Sequence, residues 1–536
     1  MANWSGNAKV ILASRYLLKD KKGNIIETGD ELLSRVARHI AGAEKKANRE
    51  KWYTEYMSIL DTLEFLPNSP TLMNAGKPNG QLSACFVLDI QDDLSNIFEM
   101  VKQCALIHKT GGGTGLIFSK IRPSNSIVQS TSGVASGPVS FMSVFNTATE
   151  AVKQGGVRRG ANLGLLHISH PDIFEFVGCK SDLSKFPNFN ISVGVTDNFM
   201  KAVKQGNGYL LRHPRMVEKK YIKAQELYNE ICRQAWTTGD PGLLFLDTIE
   251  ARNPTPWFGK LEGVNPCGET PLIPGESCNL GSIDLSKMVQ NNGKFNWDRL
   301  NEVVSIAVRF LDGLIDVNHF PNVKIKRATE RTRKLGLGVM GFADALILMN
   351  IKYNSDKAQK FAERLIMNIR ETAHIVSREL GKEKGFGALK KLKRRNATLT
   401  VIAPTGTLSM LANCSSGIEP LFAKKFTKTV LDGTLFDLSS KYREIDDDLL
   451  VTAHDISVFD HIKIQAAFQT YTDGAVSKTI NLPKDANEED VQKAFMFAWE
   501  TGCKGITVFR DGSREGPLDI IDQGIAECAN GRCNIL

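Results

Sequence analysis

The segment TGDELLSRVARHIAGAEKKA opens with Thr28 and Glu31 in capping-box spacing, the arrangement in which a hydroxyl and a returning carboxylate satisfy each other's backbone N–H groups. Leu32, Leu33, Val36 and Ile40 then recur along one helical face, which predicts a helical N-terminal region over 1–66. From about Leu66 to Arg514 the pattern changes. Short apolar runs (GLIFSKI, NISVGVT, GLLFLD, TLTVIAP, GITVF) alternate with long amphipathic stretches such as NEVVSIAVRFLDGLIDVNHF and KAQKFAERLIMNIRETAHIVSREL. That alternation predicts an α/β architecture over 67–515, with parallel strands joined by helical crossovers. Residues 516–536 have weak periodicity and read as a flexible tail. No internal repeat or low-complexity tract interrupts the chain.

Composition changes this picture little. At 536 residues, with 42% hydrophobic and 24% charged positions, the chain is an ordinary globular one, long enough for several domains or one large barrel. No run reaches the roughly 18 apolar residues needed to span a bilayer. The N-terminal stretch lacks a secretory pattern, so a cytoplasmic location without membrane association is expected. A net charge of +8 is mild, and the basic clusters AEKKANREK and LKKLKRR read as solvated helix faces, not as a nucleic-acid surface. Ten cysteines in such a setting predict reduced thiols, some of them redox-active.

The segment GVNPCGETPLIPGESCNLGSID carries the densest chemistry. Read as extended chain, it would project Asn265, Cys267 and Glu269 from one face, placing a thiol between an amide and a carboxylate. A carboxylate beside a thiol raises the thiol's pKa, which opposes thiolate nucleophilicity. Hydrogen-atom transfer needs no thiolate, so the pattern favours radical chemistry over a Cys/His mechanism.

NPCGE followed by SCNLGSIDL resembles the finger loop of ribonucleotide reductase large subunits. LPNSPTLMNAG, QLSACFVLDI, HKTGGGTGLIFSKIRP, VKQGGVRRGANLG, RKLGLGVMGFADAL, APTGTLSMLANCSSGIEPLFA and KGITVFRDGSR match the same family in order. The resemblance implies a ten-stranded α/β barrel with a central finger loop. It also implies reduction of ribonucleotides, as di- or triphosphates, to deoxyribonucleotides. Cys267 would become a thiyl radical that abstracts the ribose 3′-hydrogen, with Glu269 as base and Asn265 holding the 3′-hydroxyl. Cys85 and Cys278 match the reducing pair. Cys528 and Cys533 in CANGRC would shuttle electrons from a thioredoxin- or glutaredoxin-type reductant, half a zinc site being the alternative for that pair. No other metal site is expected.

APTGTLSML suits an anion near a strand-to-helix turn, or simply such a turn with capping threonines. The resemblance assigns Pro404, Thr405, Gly406, Thr407 and Leu408 to substrate diphosphate, and Ser69, Ala84 and Gly113 to the substrate lining. It aligns Asp92 and Arg122 with contacts to a deoxynucleotide or ATP effector. Gln154 and Arg158 fall in QGGVRRGAN, the loop that selects the substrate base. A homodimer is the expected assembly.

The family divides by radical source. Oxygen-dependent members use two adjacent tyrosines where this chain has Thr507 and Val508, which cannot relay an electron. Glycyl-radical members lack the NPCGE form. TYTDGAVSKTINLP resembles the adenosylcobalamin-dependent, class II members, although a D-x-H-x-x-G cobalamin motif is missing, as in that class. The N-terminal region reads as too short for an ATP-binding regulatory domain. An oxygen-dependent large subunit with a metal-containing partner, or an inactive nucleotide-binding homologue, are the alternatives.

Overall fold

The computed structural model describes residues 2–128, 132–153, 160–215, 219–421, 426–429, 435–437, 448–513 and 518–520. At the N-terminal side the predicted capping box is present. Thr28 accepts from the Glu31 N–H, and the Glu31 carboxylate accepts from the Thr28 N–H, at the start of α1 (Gly29–Ala41). Leu32, Leu33, Val36 and Ile40 are all fully buried, where α1 packs on α2 (Arg49–Leu60) and on α6 (Trp297–Val317).

The body of the molecule is a ten-stranded sheet. Its first half contains β2 (Cys85–Leu88), β3 (Gly113–Ile117), β4 (Asn162–His167), β5 (Phe189–Val195) and β6 (Gly242–Phe245), each parallel to the next. Helices α3 (Leu94–Lys109), α4 (Gly137–Lys153) and α5 (Ala224–Thr238) lie in the connections between them. The second half contains β9 (Ser277–Asp284) and β10 (Leu335–Met340), paired in parallel, and β11 (Thr479–Leu482) parallel to β12 (Gly505–Arg510). Antiparallel pairs join the halves, β2 to β9 and β6 to β12, while β1 (Phe65–Pro67) flanks β9. Single parallel bridges, Leu337 to Thr400 and Ile402 to Val476, carry the ladder from β10 to the segment that runs into β11.

Alternation along these strands separates two apolar regions, as a period of two requires. Cys85, Val87, Leu163, Leu165, Cys278, Leu280, Val401 and Ala403 belong to a small inner cluster. Phe86, Leu88, Leu166 and Ile283 face the larger core under the helices, α6 and α7 (Asp356–Lys384) among them. Strands covered on both faces read as continuous apolar runs, which is why β9 is buried along its whole length.

Two predicted strands are shorter than their apolar runs. In GLIFSKI the ladder stops at Ile117, and Phe118 turns to accept from the Ile121 N–H. TLTVIAP makes only the single bridges, because the Thr400 carbonyl and hydroxyl accept from the Gly474 and Asp473 N–H groups. Among the described residues no helix is long and apolar enough to cross a membrane.

Candidate active site

The segment after α5 and β6 returns through the inner cluster as a hairpin of β7 (Gly263–Val264) and β8 (Pro271–Leu272). It runs so close to β3 that a Cβ on Gly115 would lie 1.9 Å from the Val264 carbonyl oxygen. Glycine is required there by this backbone approach. The hairpin tip is clamped from both halves of the sheet. Asn190 of β5 donates through Nδ2 to the Pro266 carbonyl at 3.0 Å, and the Ala475 N–H donates to the Glu269 carbonyl at 2.8 Å.

The tip is a turn and not the extended chain that the spacing suggests. The Gly268 N–H donates to the Asn265 carbonyl, with Gly268 at φ +81°, a backbone conformation natural to glycine. The Asn265 side-chain oxygen accepts from the Thr270 N–H at 3.0 Å, closing the turn from within. Asn265 and Glu269 are thereby buried, while Cys267 between them is exposed.

Both buried side chains reach Cys85. Asn265 Nδ2 donates to Cys85 Sγ at 3.1 Å, and Cys85 Sγ lies 4.0 Å from Glu269 Oε1 as a thiol donor. Cys278 is the register partner of Cys85 across the β2–β9 pair. Directly opposed antiparallel residues hold their Cα atoms about 4.5–5.5 Å apart, inside the range a disulfide spans. Burial pushes both thiols well above the ordinary cysteine value, and the Glu269 carboxylate adds to the rise at each. These sulphurs carry protons, as hydrogen donors must.

The other predicted substrate positions divide. Gly113 is the register partner of Cys85 on β3, and its N–H donates to the Ala84 carbonyl at 2.8 Å, so Ala84 and Gly113 border the cysteine pair. Ser69 begins a short helix whose cap, Asn68, donates to the Leu280 carbonyl of β9; its hydroxyl pairs with Tyr16 Oη at 2.8 Å. Pro404 to Leu408 follow Ala403 of the inner cluster. Thr405 takes a left-handed conformation at φ +52°, and its hydroxyl oxygen accepts from the Gly417 N–H at 2.7 Å. That hydroxyl braces the loop instead of projecting freely, and Pro404, Gly406 and Thr407 are the half-buried positions beside it.

Asp92 and Arg122, the predicted effector contacts, pair with each other. Arg122 Nε donates to both Asp92 oxygens at 3.0 and 2.9 Å, with Arg215 Nε 3.4 Å away. Gln154, Arg158, Cys528 and Cys533 lie outside the described residues. Thr507 and Val508 stand in β12 as predicted, with no tyrosine pair.

Two buried lysines behind the site were missed in the sequence. Lys334 Nζ donates to Glu276 Oε2 at 2.7 Å, both side chains being at most 1% exposed. Lys504 Nζ donates to the carbonyls of Asp473 and Gly474, fixing the segment whose Ala475 N–H holds Glu269. Burial, helped by the nearby charge of Arg252, brings Lys504 down to about 7. Each sits in an apolar run, RKLGLGVMG or KGITVF, and an unexplained lysine there was the available signal. Among the described residues no cluster of His, Cys, Asp and Glu has the form of a metal site. A cavity of about 670 Å³ opens elsewhere, at the opposite ends of β3 and β4, lined by Ile117, Leu165, Leu261, Lys120 and His167; among the described residues no predicted site residue borders it.

Comparison with known proteins bears on this arrangement. Residues 4–80 match the family model described as ribonucleotide reductase, all-alpha domain, and residues 83–394 and 387–509 match ribonucleotide reductase, barrel domain. The chain is 43% identical to a vitamin B12-dependent ribonucleoside-diphosphate reductase of Thermoplasma acidophilum, over 97% of this chain and 80% of that protein. A protein of the same description from Mycobacterium tuberculosis (strain CDC 1551 / Oshkosh) is 44% identical over 95% of this chain and 80% of its own. A vitamin B12-dependent ribonucleotide reductase of Streptomyces coelicolor is 29% identical over 96% of this chain and 66% of its own.

Proposed function

The chain belongs to the ribonucleotide reductase family, and from that premise we propose that it reduces a ribonucleotide to the 2′-deoxyribonucleotide by thiol radical chemistry of the adenosylcobalamin-dependent kind. One observation carries the reading: two buried thiols stand side by side, with an amide and a carboxylate closing on Cys85 from a loop whose own thiol is exposed.

Cys267, having lost its hydrogen atom, takes the ribose 3′-hydrogen. Glu269 accepts the 3′-hydroxyl proton, and Asn265 donates a hydrogen bond that orients that hydroxyl. Cys85 and Cys278 supply two electrons and two protons as the 2′-hydroxyl leaves as water, and end as a disulfide. Cys528 and Cys533 return them to the dithiol by exchange with a thioredoxin- or glutaredoxin-type protein.

The relatives' descriptions name vitamin B12, and the residues fit it on two counts. The Cys267 thiol is exposed, accessible to a bulky donor where Cys85 and Cys278 are not. Thr507 and Val508 offer no redox side chain through which a partner subunit's radical could travel. When bound, adenosylcobalamin supplies a homolysable cobalt–carbon bond as the one-electron source.

Ala84 and Gly113 line the substrate, with Ser69 at the margin and Pro404 to Leu408 at its phosphates. Asp92, Arg122, Gln154 and Arg158 read a nucleotide effector in a homodimer; Arg122 must then exchange part of its bonding with Asp92 for phosphate. The division into 1–66, 67–515 and 516–536 belongs to this reading.

The test is purified protein with adenosylcobalamin, a ribonucleoside di- or triphosphate and a small dithiol. Deoxynucleotide formed without a second protein supports the proposal. Activity only on adding a metal-containing subunit supports an oxygen-dependent large subunit instead, and inactivity in both supports a nucleotide-binding homologue.

A further inference from the structure

Beneath the cysteine pair lies an ion pair without contact with water. Lys334 and Glu276 are 1% exposed or less, and Lys334 Nζ meets Glu276 Oε2 at 2.7 Å. Placing two charges in such a setting costs several kcal/mol per ion before their attraction is counted, so a purely structural site is served as well by apolar residues. The carboxylate is saturated: Glu276 Oε2 also accepts from the Ile273 N–H at 2.9 Å, and Oε1 accepts from the Thr332 hydroxyl at 2.6 Å. Its bond to Ile273 spans the turn that joins β8 of the finger loop to β9, two residues before Cys278.

The main chain of Lys334 is tied to Cys278, and the β9–β10 register sets the two side chains opposite each other on one face. The Cys278 thiol donates to the Lys334 main-chain carbonyl at 3.6 Å, and the two residues stand on neighbouring segments of the β9–β10 pair. The Lys334 charge opposes the rise that burial, Glu269 and Glu276 impose on that thiol. Among the described residues no comparable cation acts on Cys85, where burial and then the Glu269 carboxylate raise the thiol. The two members of the pair are therefore electrically unlike.

We propose that Lys334 is the positioning cation that makes Cys278 the leaving sulphur when the Cys85–Cys278 disulfide is reduced, and that Glu276 holds that cation in place. The proposal rests on the reading of Cys85 and Cys278 as the reducing pair. In the step, the thiolate of an external dithiol attacks Cys85 Sγ and the Cys85–Cys278 bond breaks. Cys278 departs as a thiolate beside the Lys334 ammonium and then takes a proton. The second thiol of the reductant attacks the mixed disulfide, releasing Cys85 and leaving the reductant oxidised. Exchange accelerates as the departing thiol becomes more acidic, so the cation directs the attack to Cys85.

The experiment follows reduction of the Cys85–Cys278 disulfide by a small dithiol, with quenched alkylation and mass spectrometry of the intact chain. Lys334→Gln is expected to slow reduction about tenfold or more. Glu276→Gln removes the anion while its amide oxygen still accepts from the ammonium and keeps it in place, so this variant is expected to reduce at least as fast as the unmodified protein. A scaffold role predicts something different, equal slowing in both, and that result overturns the proposal, as does an unchanged rate in Lys334→Gln. If either single variant fails to fold, the double variant, which buries two neutral amides, takes its place. It should be slow like Lys334→Gln, and a native rate there overturns the proposal. Absence of any Cys85–Cys278 disulfide after turnover of the unmodified protein overturns the reducing pair itself, a result distinguishable from the others.

Discussion

Cys85 and Cys278 are register partners on antiparallel strands from opposite halves of the sheet, and the side chain of Asn265 donates to the first of them. The finger loop's amide thus bonds to one sulphur, while the main-chain carbonyl of Lys334 accepts from the other.

Replacing the exposed thiol should separate chemistry from folding. Cys267→Ser removes no buried surface, so its stability should stay within about 0.5 kcal/mol of the parent. Turnover and cofactor-dependent hydrogen exchange with solvent should both vanish while nucleotide binding persists. Residual turnover measured by product chromatography would contradict the radical role.

Gly115→Ala addresses loop placement. The added methyl meets the Val264 carbonyl, a backbone atom that cannot rotate away, so the hairpin must move. A displacement of about 1 Å costs roughly 100-fold in rate when reacting groups are held this tightly. The expected result is a folded protein, by circular dichroism, with kcat down by about that factor.

Asp312 gives a pH signature of stability. It is fully buried between Arg333 and Arg395, at 2.9 and 2.8 Å, and these charges outweigh burial to hold its carboxyl at about 2. Because the folded value lies below the unfolded one of about 3.9, the contribution is complete above pH 4 and disappears as pH falls through 2. It amounts to about 2.6 kcal/mol. Asp312→Asn should flatten that part of the denaturation profile and cost about 3–5 kcal/mol at neutral pH, where two buried guanidinium groups lose their anion. An unaltered acid limb in urea titrations would refute the assignment.

Cys528→Ser with Cys533→Ser should abolish multiple turnovers driven by a thioredoxin-type protein yet spare activity with a small dithiol. Equal loss with both reductants, in a steady-state assay, would show that the tail is no shuttle.

Much of this site was legible in one dimension. Thr28 and Glu31 announced their helix because capping is local, satisfied within a single turn. NPCGE and SCNL pointed to radical chemistry because a carboxylate beside a thiol opposes thiolate formation, and the resemblance of the ordered motifs to the family supplied the residue roles. The face they would share was misread. Period-two alternation assumes extended chain, and Gly268 with its positive φ makes a turn that buries Asn265 and Glu269 and exposes Cys267. TLTVIAP looked like a full strand, but Thr400 spends its hydrogen-bonding groups on Asp473 and Gly474.

What the sequence alone determined was the inventory: alternating strands and helices, protonated thiols beside a carboxylate, and no tyrosine relay. Those follow from periodicity and from the chemistry of single residues, both of which survive in a linear string. Which sulphur faces which, and that Lys334 and Glu276 sit behind one of them, was decided only by tertiary structure. Cys85, Asn265, Cys278 and Lys334 come from distant segments brought together by strand register and by a hairpin threaded past Gly115. Pairing between remote strands depends on the closure of the whole sheet, and no local pattern encodes it.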